Sequence, residues 1–411
     1  MSEQILSERA VGPKDGGCIR ACLVSSIAIN IKAFFRGQFS YLQRFGWQWT
    51  VVANEPTRAD LELPDETRYH HVSVTRSITP WADLKSIVQL YGLFRRERFH
   101  LVQYTTPKGA LLGSIAAFLA GVPVRLHLLW GIYYMGRAGW RRRLFKTLEW
   151  LACRLSTHVT FDGFELRDFA IREGLCRAAN SSVVGRGGDN GIDLSLYDPA
   201  RWRKAGREVR KSWGIPESSL VIGSVLRLVG DKGINELVAA FERIAADRSD
   251  VWLLLVGWLE EKDPPRPETL AVLNRHPRIV VTQFQQNVLP FYAAMDVFAL
   301  ATYREGFSAV NLEAAAMVLP VVTTDAIGAK ESIVDGVTGI VVPVRDVRLL
   351  NDALVRLLDD VKLRQQMGMA GRERVERDFE QVAFWDCLRR HREELLIQAR
   401  VLIRDRRGLK R

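Results

Sequence analysis

Tyr303-Arg304-Glu305-Gly306-Phe307-Ser308-Ala309-Val310-Asn311-Leu312-Glu313 is the stretch on which the reading of this chain turns. An apolar run at 297–301 precedes it and reads as a strand. A helix over 309–318 and a second buried strand at 320–324 follow. A strand–loop–helix–strand unit puts its loop at the carboxyl end of a parallel sheet, where open α/β folds bind ligands. Gly306 allows the backbone to approach a ligand closely, and the free N–H groups at the start of the helix favour an anion. Glu305 and Glu313 can then accept hydrogen bonds from hydroxyls on either side of that anion. Two hydroxyl-binding acids around a phosphate site point to a nucleotide-sugar.

Outward from this segment, the chain reads as two α/β halves. In the first, strands are expected at 19–24, 49–53, 70–74, 101–104 and 124–127. Helices are expected at 32–45, 83–98, 109–120, 140–155 and 166–172. The second half restarts with a strand at 221–226 and a helix at 235–246, whose Leu237, Val238, Phe241, Ile244 and Ala245 recur at helical spacing. Strands follow at 251–256, 279–282, 297–301, 321–324 and 340–342. Alternating strands and helices predict parallel, doubly wound sheets. The glycine-rich run Gly185-Arg186-Gly187-Gly188-Asp189-Asn190-Gly191 is the natural boundary between the halves.

The 411 residues suffice for two domains, and 47% hydrophobic with 26% charged residues reads as globular. The longest apolar run, 109–124, is too short to cross a bilayer and is taken as a buried helix leading into a strand. The polar start of the chain does not read as a secretory signal. The cysteines Cys18, Cys22, Cys153, Cys176 and Cys387 form no CxxC pair and no metal spacing, which predicts reduced thiols in a cytoplasmic protein. Charge is uneven: residues 19–190 hold 23 Lys/Arg against 13 Asp/Glu, and residues 191–411 hold 33 against 31. A basic first half suits nucleic acid or anionic lipid headgroups, or is simply a solvated surface.

Transfer of a sugar from a nucleotide diphosphate leaves negative charge on the departing phosphates, which a metal, cations or helix termini must stabilise. The chain has no Asp-x-Asp motif of the metal-binding kind. It has Arg227 and Lys232 across a glycine-flanked turn after a strand, two cations able to clamp a diphosphate. No metal or other cofactor is therefore expected.

The ordered motifs carry a resemblance. Glu-x7-Glu is followed by Leu319-Pro320-Val321-Val322, Gly328-Ala329-Lys330-Glu331 and Asp335-Gly336-Val337-Thr338-Gly339. Ahead of it stand Arg227-Leu228-Val229-Gly230-Asp231-Lys232-Gly233 and Asn190-Gly191-Ile192-Asp193. Together they make residues 185–345 resemble the donor-binding domain of the family-4 retaining glycosyltransferases. The resemblance implies the GT-B fold: two Rossmann-like, doubly wound domains facing across a cleft, with a late helix near 379–400 crossing back to the first domain. The domains expected are a tail at 1–18, an acceptor-side domain at 19–185, a donor domain at 186–378, and a crossover helix with a basic tail at 379–411.

The resemblance also implies roles. Glu313 would hold the ribose hydroxyls and Glu305 the transferred sugar, with Gly306, Phe307 and Ser308 against the donor. Ser308 stands where relatives have proline, and serine is a good helix N-cap. In Val122-Pro123-Val124-Arg125-Leu126-His127, the segment resembles the family's strand and histidine that reach the donor sugar, with Trp130 at the place of a second histidine. The first loop lacks the family's paired glycines and offers Ser25 and Ser26 instead. Arg76-Ser77-Ile78-Thr79-Pro80-Trp81-Ala82-Asp83-Leu84 and Tyr104-Thr105-Thr106-Pro107-Lys108-Gly109 are similar to a subset acting in capsule, exopolysaccharide or O-antigen assembly. In that subset the acceptor is a sugar on a polyprenyl diphosphate.

The expectation is thus a retaining, metal-independent hexosyltransferase using a UDP-sugar, cytoplasmic and peripheral on the inner membrane face. Trp140-Arg141-Arg142-Arg143 is the segment suited to anionic lipid. The alternatives are a nucleotide-sugar epimerase or hydrolase on the same fold, or a silent basic scaffold for membrane or nucleic acid.

Overall fold

The computed structural model describes residues 17–401 apart from 36, 56, 59–60, 75–78 and 261–262. Most of the expected tail at 1–18, the basic tail from 402 onward, and Arg76-Ser77-Ile78 of the quoted motif lie outside the described residues. The chain divides into two compact units. The first runs to Asn190 and takes back the chain from Ala383 onward; the second is Gly191–Val382. The sequence boundaries at 185/186 and 378/379 thus fall a few residues early.

Among the described residues, the first unit has a seven-stranded parallel sheet in the order β3-β2-β1-β4-β5-β6-β7. The strands are β1 Ile19–Val24, β2 Trp47–Ala53, β3 Arg68–His71, β4 Leu101–Tyr104, β5 Val124–Leu129, β6 His158–Phe161 and β7 Ser181–Val183. Side-chain alternation along the strands builds two core layers. Ala21 and Leu23 point to one face with Trp47, Trp49, Leu126 and Leu128. Cys22 and Val24 point to the other with Val102, Tyr104 and the inner faces of helices Pro80–Glu97 and Pro107–Leu119. Apolar residues on both faces explain why the strands read as continuous hydrophobic runs.

Four elements of this unit differ from expectation. The helix expected at 32–45 is two helices, Ala28–Phe35 and Gln38–Gln43. Gly37 separates them at φ +76, and a Cβ there would lie 2.5 Å from the Trp385 ring. The strand expected at 70–74 is Arg68–His71. β6 and β7 were not anticipated, because His-Val-Thr-Phe and Ser-Ser-Val are short and half polar.

The late helix, Gln381–Gln398, packs Leu395 and Leu396 into the first core layer of this unit. Trp385 donates to Asn190 Oδ1 at 2.7 Å. Arg392 is fully buried and donates to Gln103 Oε1 at 3.1 Å and Gln38 Oε1 at 2.8 Å, with its guanidinium over the Trp49 ring. Burial pushes its pKa down to about 9, since no carboxylate compensates it.

The second unit has, among the described residues, a six-stranded parallel sheet ordered β10-β9-β8-β11-β12-β13. These are β8 Leu220–Val225, β9 Val251–Val256, β10 Ile279–Val281, β11 Val297–Leu300, β12 Val321–Thr324 and β13 Gly339–Val342. One core packs the sheet against its helices, with Leu237, Phe241 and Ile244 of Ile234–Asp247 inside it. Helices Pro199–Ser212, Pro267–Arg275, Val347–Asp359 and Val361–Asp378 were not singled out in the sequence.

Candidate active site

Strand order in the second sheet reverses direction between β8 and β11, and a crevice opens at the carboxyl ends of two such strands. Arg227 and Lys232 follow β8, and the segment Tyr303–Glu313 follows β11. The residues expected from sequence therefore converge on the switch point from two separate stretches of chain.

Gly233 makes that convergence possible. The short helical turn Gly230–Lys232 ends on it at φ +70, and a Cβ there would sit 1.8 Å from the Ala301 carbonyl oxygen. Only glycine lets the turn lie against the end of β11. Tyr303 N–H then donates to the Asp231 carbonyl at 2.9 Å, and Arg304 Nη2 to the Asp231 carboxylate at 2.7 Å. Lys232 Nζ donates to both oxygens of Glu305, at 2.6 and 2.7 Å. Lys232 and Glu305 are mostly buried, 20% and 14% exposed, so this ion pair is shielded from bulk water.

Arg227 pairs with Glu260, a partner that sequence reading did not single out because it lies beyond β9. Each cation of the expected clamp thus meets a carboxylate. Glu305 N–H donates to the Ile327 carbonyl at 2.9 Å and Ser308 N–H to that of Gly328 at 3.0 Å, which ties the Gly306 loop at both ends.

The next three expected residues behave differently. Phe307 is a core residue: its ring packs on Phe379 and among Ile192, Leu312 and Val375. Its ring is thus taken up by the core of this unit. Ser308 does occupy the N-cap position of Ala309–Ala316, but its hydroxyl makes no capping bond. It is 2% exposed and lacks a partner, leaving an unsatisfied hydroxyl at the mouth of the helix. Glu313 accepts from the Tyr292 hydroxyl at 2.8 Å, and Tyr197 also bonds to it. Burial raises its pKa, and the two tyrosine hydroxyls oppose that rise. Neither tyrosine was visible as a partner in the sequence, since both come from distant elements.

His127 requires a correction. β5 runs on to Leu129, two residues past the expected end, so His127 lies inside the strand rather than at its tip. Val124, Leu126 and Leu128 point to one core layer, so alternation turns His127 to the opposite face. There it is 2% exposed, with Nε2 3.4 Å from Glu149 and Nδ1 3.6 Å from the Cys153 sulfur. Both ring nitrogens are engaged inside the first unit, which removes the expected reach to a sugar. The side chain at the strand tip is Trp130, packed on Phe34 and Phe35.

His127, Glu149 and Cys153 are also the one group among the described residues with metal-ligand atoms close together. The carboxylate and the thiol approach opposite edges of the ring, whereas a cation would draw both to one nitrogen. The arrangement suits a buried hydrogen-bonded relay. Burial lowers the His127 pKa to about 3 and raises that of Glu149 to about 8. A buried acid with a raised pKa contributes stability that is full below its ordinary 4.5 and lost as pH rises towards about 8. His127 has the opposite sign, its contribution being lost as pH falls from 6.5 towards about 3. Glu149→Gln is accordingly expected to flatten the pH dependence of unfolding free energy between 4.5 and about 8. Denaturant melts across that range check this, and an unchanged slope would remove Glu149 from the account.

Comparison with known proteins agrees with this geometry. The family model for glycosyl transferases group 1 matches residues 206–374, and that for the glycosyl transferase 4-like domain matches residues 31–187. The chain is 30% identical over 353 residues to the capsular polysaccharide biosynthesis glycosyltransferase CapM of Staphylococcus aureus, covering 86% of this chain and 91% of CapM. It is 27% identical over 327 residues to the UDP-Gal:alpha-D-GlcNAc-diphosphoundecaprenol alpha-1,3-galactosyltransferase of Escherichia coli, covering 79% of this chain and 83% of that protein. Among solved structures, Anabaena HepE in complex with UDP-glucose superposes with a TM-score of 0.76 at 19% identity, over 91% of this chain and 99% of HepE.

Proposed function

The chain belongs to the group 1 glycosyl transferases, with a 4-like domain ahead, and on that premise we propose that it moves a sugar from a UDP-sugar to a lipid-linked or polysaccharide acceptor. It is a glycosyltransferase of the GT-B fold. The observation that carries the finer reading is the cluster at the β8–β11 switch point. Lys232 grips both oxygens of Glu305 there, and the Ser308 hydroxyl stands unpartnered at a helix mouth.

In this reading the diphosphate takes the helix mouth, the Ser308 hydroxyl, Lys232 and Arg227. Glu305 accepts from the sugar hydroxyls and Glu313 from the ribose. The bond from the sugar's anomeric carbon to phosphate breaks as the bond to the acceptor oxygen forms on the same face. The acceptor proton passes to the departing phosphate, and configuration is retained. Cations and helix dipole supply the charge stabilisation that a metal would otherwise give. A UDP donor is favoured by the UDP-glucose bound in HepE and by the name of the E. coli relative, which also names a diphosphoundecaprenol-linked acceptor. CapM places the likeness in capsule synthesis. No helix among the described residues is long and apolar enough to cross a membrane. Membrane contact is proposed as peripheral, on the cytoplasmic face.

Calorimetry with UDP, GDP and ADP tests the donor site. Selective UDP binding, lost in Glu313→Ala, is the expected result. Binding of none of the three would remove the donor assignment. Turnover is expected to survive a chelator, and loss restored by Mg²⁺ or Mn²⁺ would end the metal-free reading.

A further inference from the structure

Helices Pro80–Glu97, Pro107–Leu119 and Gly139–Leu155 lie side by side over one face of the first sheet. The first of them is apolar on two sides. Leu90, Leu93 and Phe94 face the core, whereas Trp81, Leu84, Val88 and Tyr91 face outward at spacings of three, four and three. That spacing is a continuous stripe on one side of a helix. Trp81 is 86% exposed and Val88 61%, and Trp140 at the start of the third helix is 69% exposed. A run of large apolar side chains open to water calls for an occupant.

Charge selects the occupant. The three helices carry nine Lys/Arg against three acids. None of the three acids is free: Asp83 is bound by Lys108 at 2.6 Å, Glu97 by Arg68 and Arg96, and Glu149 is buried beside His127. Lys85 and Arg95 flank the stripe, and Arg141 lies over the Trp140 ring. A second copy of the same face would bring like charges together, and an acidic bilayer surface would not. Trp and Tyr beside Lys and Arg is also the composition that settles at the headgroup level of a membrane.

Orientation adds a third argument. Each helix runs from the carboxyl end of one strand to the start of the next, so Trp81 and Trp140 both lie towards the carboxyl end of the first sheet. Ligands of open α/β sheets bind at that end. A surface docked there meets an acceptor sugar whose lipid anchor lies in the same bilayer.

We propose that the first unit docks on anionic lipid bilayers through the outward stripe Trp81-Leu84-Val88-Tyr91 and the neighbouring Trp140, with Lys85, Arg95 and Arg141 on the headgroups. The proposal deepens the lipid-linked acceptor reading and rests on it only for the benefit of docking, not for docking itself.

Flotation with vesicles rich in phosphatidylglycerol, against vesicles of phosphatidylcholine alone, is the test. The full chain is expected to bind the former and not the latter, with affinity falling as salt rises. Trp81→Ser with Val88→Ser is expected to weaken binding by about tenfold or more, through lost apolar insertion. Calorimetric UDP binding by the same variant, expected to be unchanged, verifies its fold and separates the two readings. Vesicle binding without UDP binding would overturn the donor site and leave docking standing; UDP binding without vesicle binding would do the reverse. Docking is also overturned if the double variant still binds vesicles fully, or if sedimentation shows a dimer that the double variant dissolves.

Discussion

Lys232→Met is expected to lower turnover with a UDP-sugar by about 10²-fold or more while leaving the protein folded. Lys232 touches both oxygens of Glu305, so the substitution acts twice. In the proposed reaction it removes a cation from beside the departing diphosphate, and it leaves the mostly buried Glu305 carboxylate without its counter-ion. An uncompensated carboxylate repels the very anion the site must hold. Steady-state kinetics separate the two effects. Loss of leaving-group stabilisation lowers kcat, whereas repulsion of the ground-state donor raises KM. Glu305→Ala and Arg227→Ala belong to the same series, each expected to cost about 10²-fold. Near-normal turnover in any of the three would take that residue out of the site. Arg227 is the sharpest control, because its partner Glu260 lies outside the Glu305 loop.

Gly233→Ala is expected to destabilise the second unit by roughly 3 kcal/mol and to abolish UDP binding. Two costs combine. Alanine at φ +70 is strained, and its Cβ would fall 1.8 Å from the Ala301 carbonyl oxygen, far inside contact distance. The obstacle is backbone at the end of β11, so no rotamer change relieves it. The turn must move off the strand, and Asp231 and Lys232 move with it. That breaks the bonds from Tyr303, Thr302 and Arg304 to Asp231 and displaces Nζ from Glu305. Urea unfolding reads the stability change and calorimetry the binding. A variant of normal stability that still binds UDP would show that the close packing of this turn is dispensable.

What the sequence made legible follows from how each feature is encoded. Apolar runs such as 19–24, 251–256 and 321–324 declare buried parallel strands, because both their faces are covered. The loop after β11 and the turn after β8 were legible as motifs, since their glycines, acids and cations lie close together in the chain. Tertiary partners were not. Glu260, Tyr197 and Tyr292 reach Arg227 and Glu313 from distant elements, and nothing in a local window pairs them. His127 was misplaced by a boundary error of two residues: ending the strand at 127 instead of Leu129 turned an inward side chain into a tip. The burial of the Phe307 ring was not legible either, because its immediate neighbours in the chain, Gly306 and Ser308, show no apolar pattern. Helix Val361–Asp378, although long, shows a weak apolar stripe because glycines line its buried side.

The late helix Gln381–Gln398 has a consequence for biosynthesis. A ribosome releases the first unit's sheet long before it makes the helix that carries Leu395, Leu396 and Arg392 into that unit's core. Until then Gln38, Gln103 and Trp49 face an unfilled layer. The second unit is contiguous, Gly191–Val382, and can finish folding during that interval. The half of the molecule translated first is therefore the last to mature, and a chain stopped short of residue 381 would harm the amino-terminal half more than the part beside the lesion.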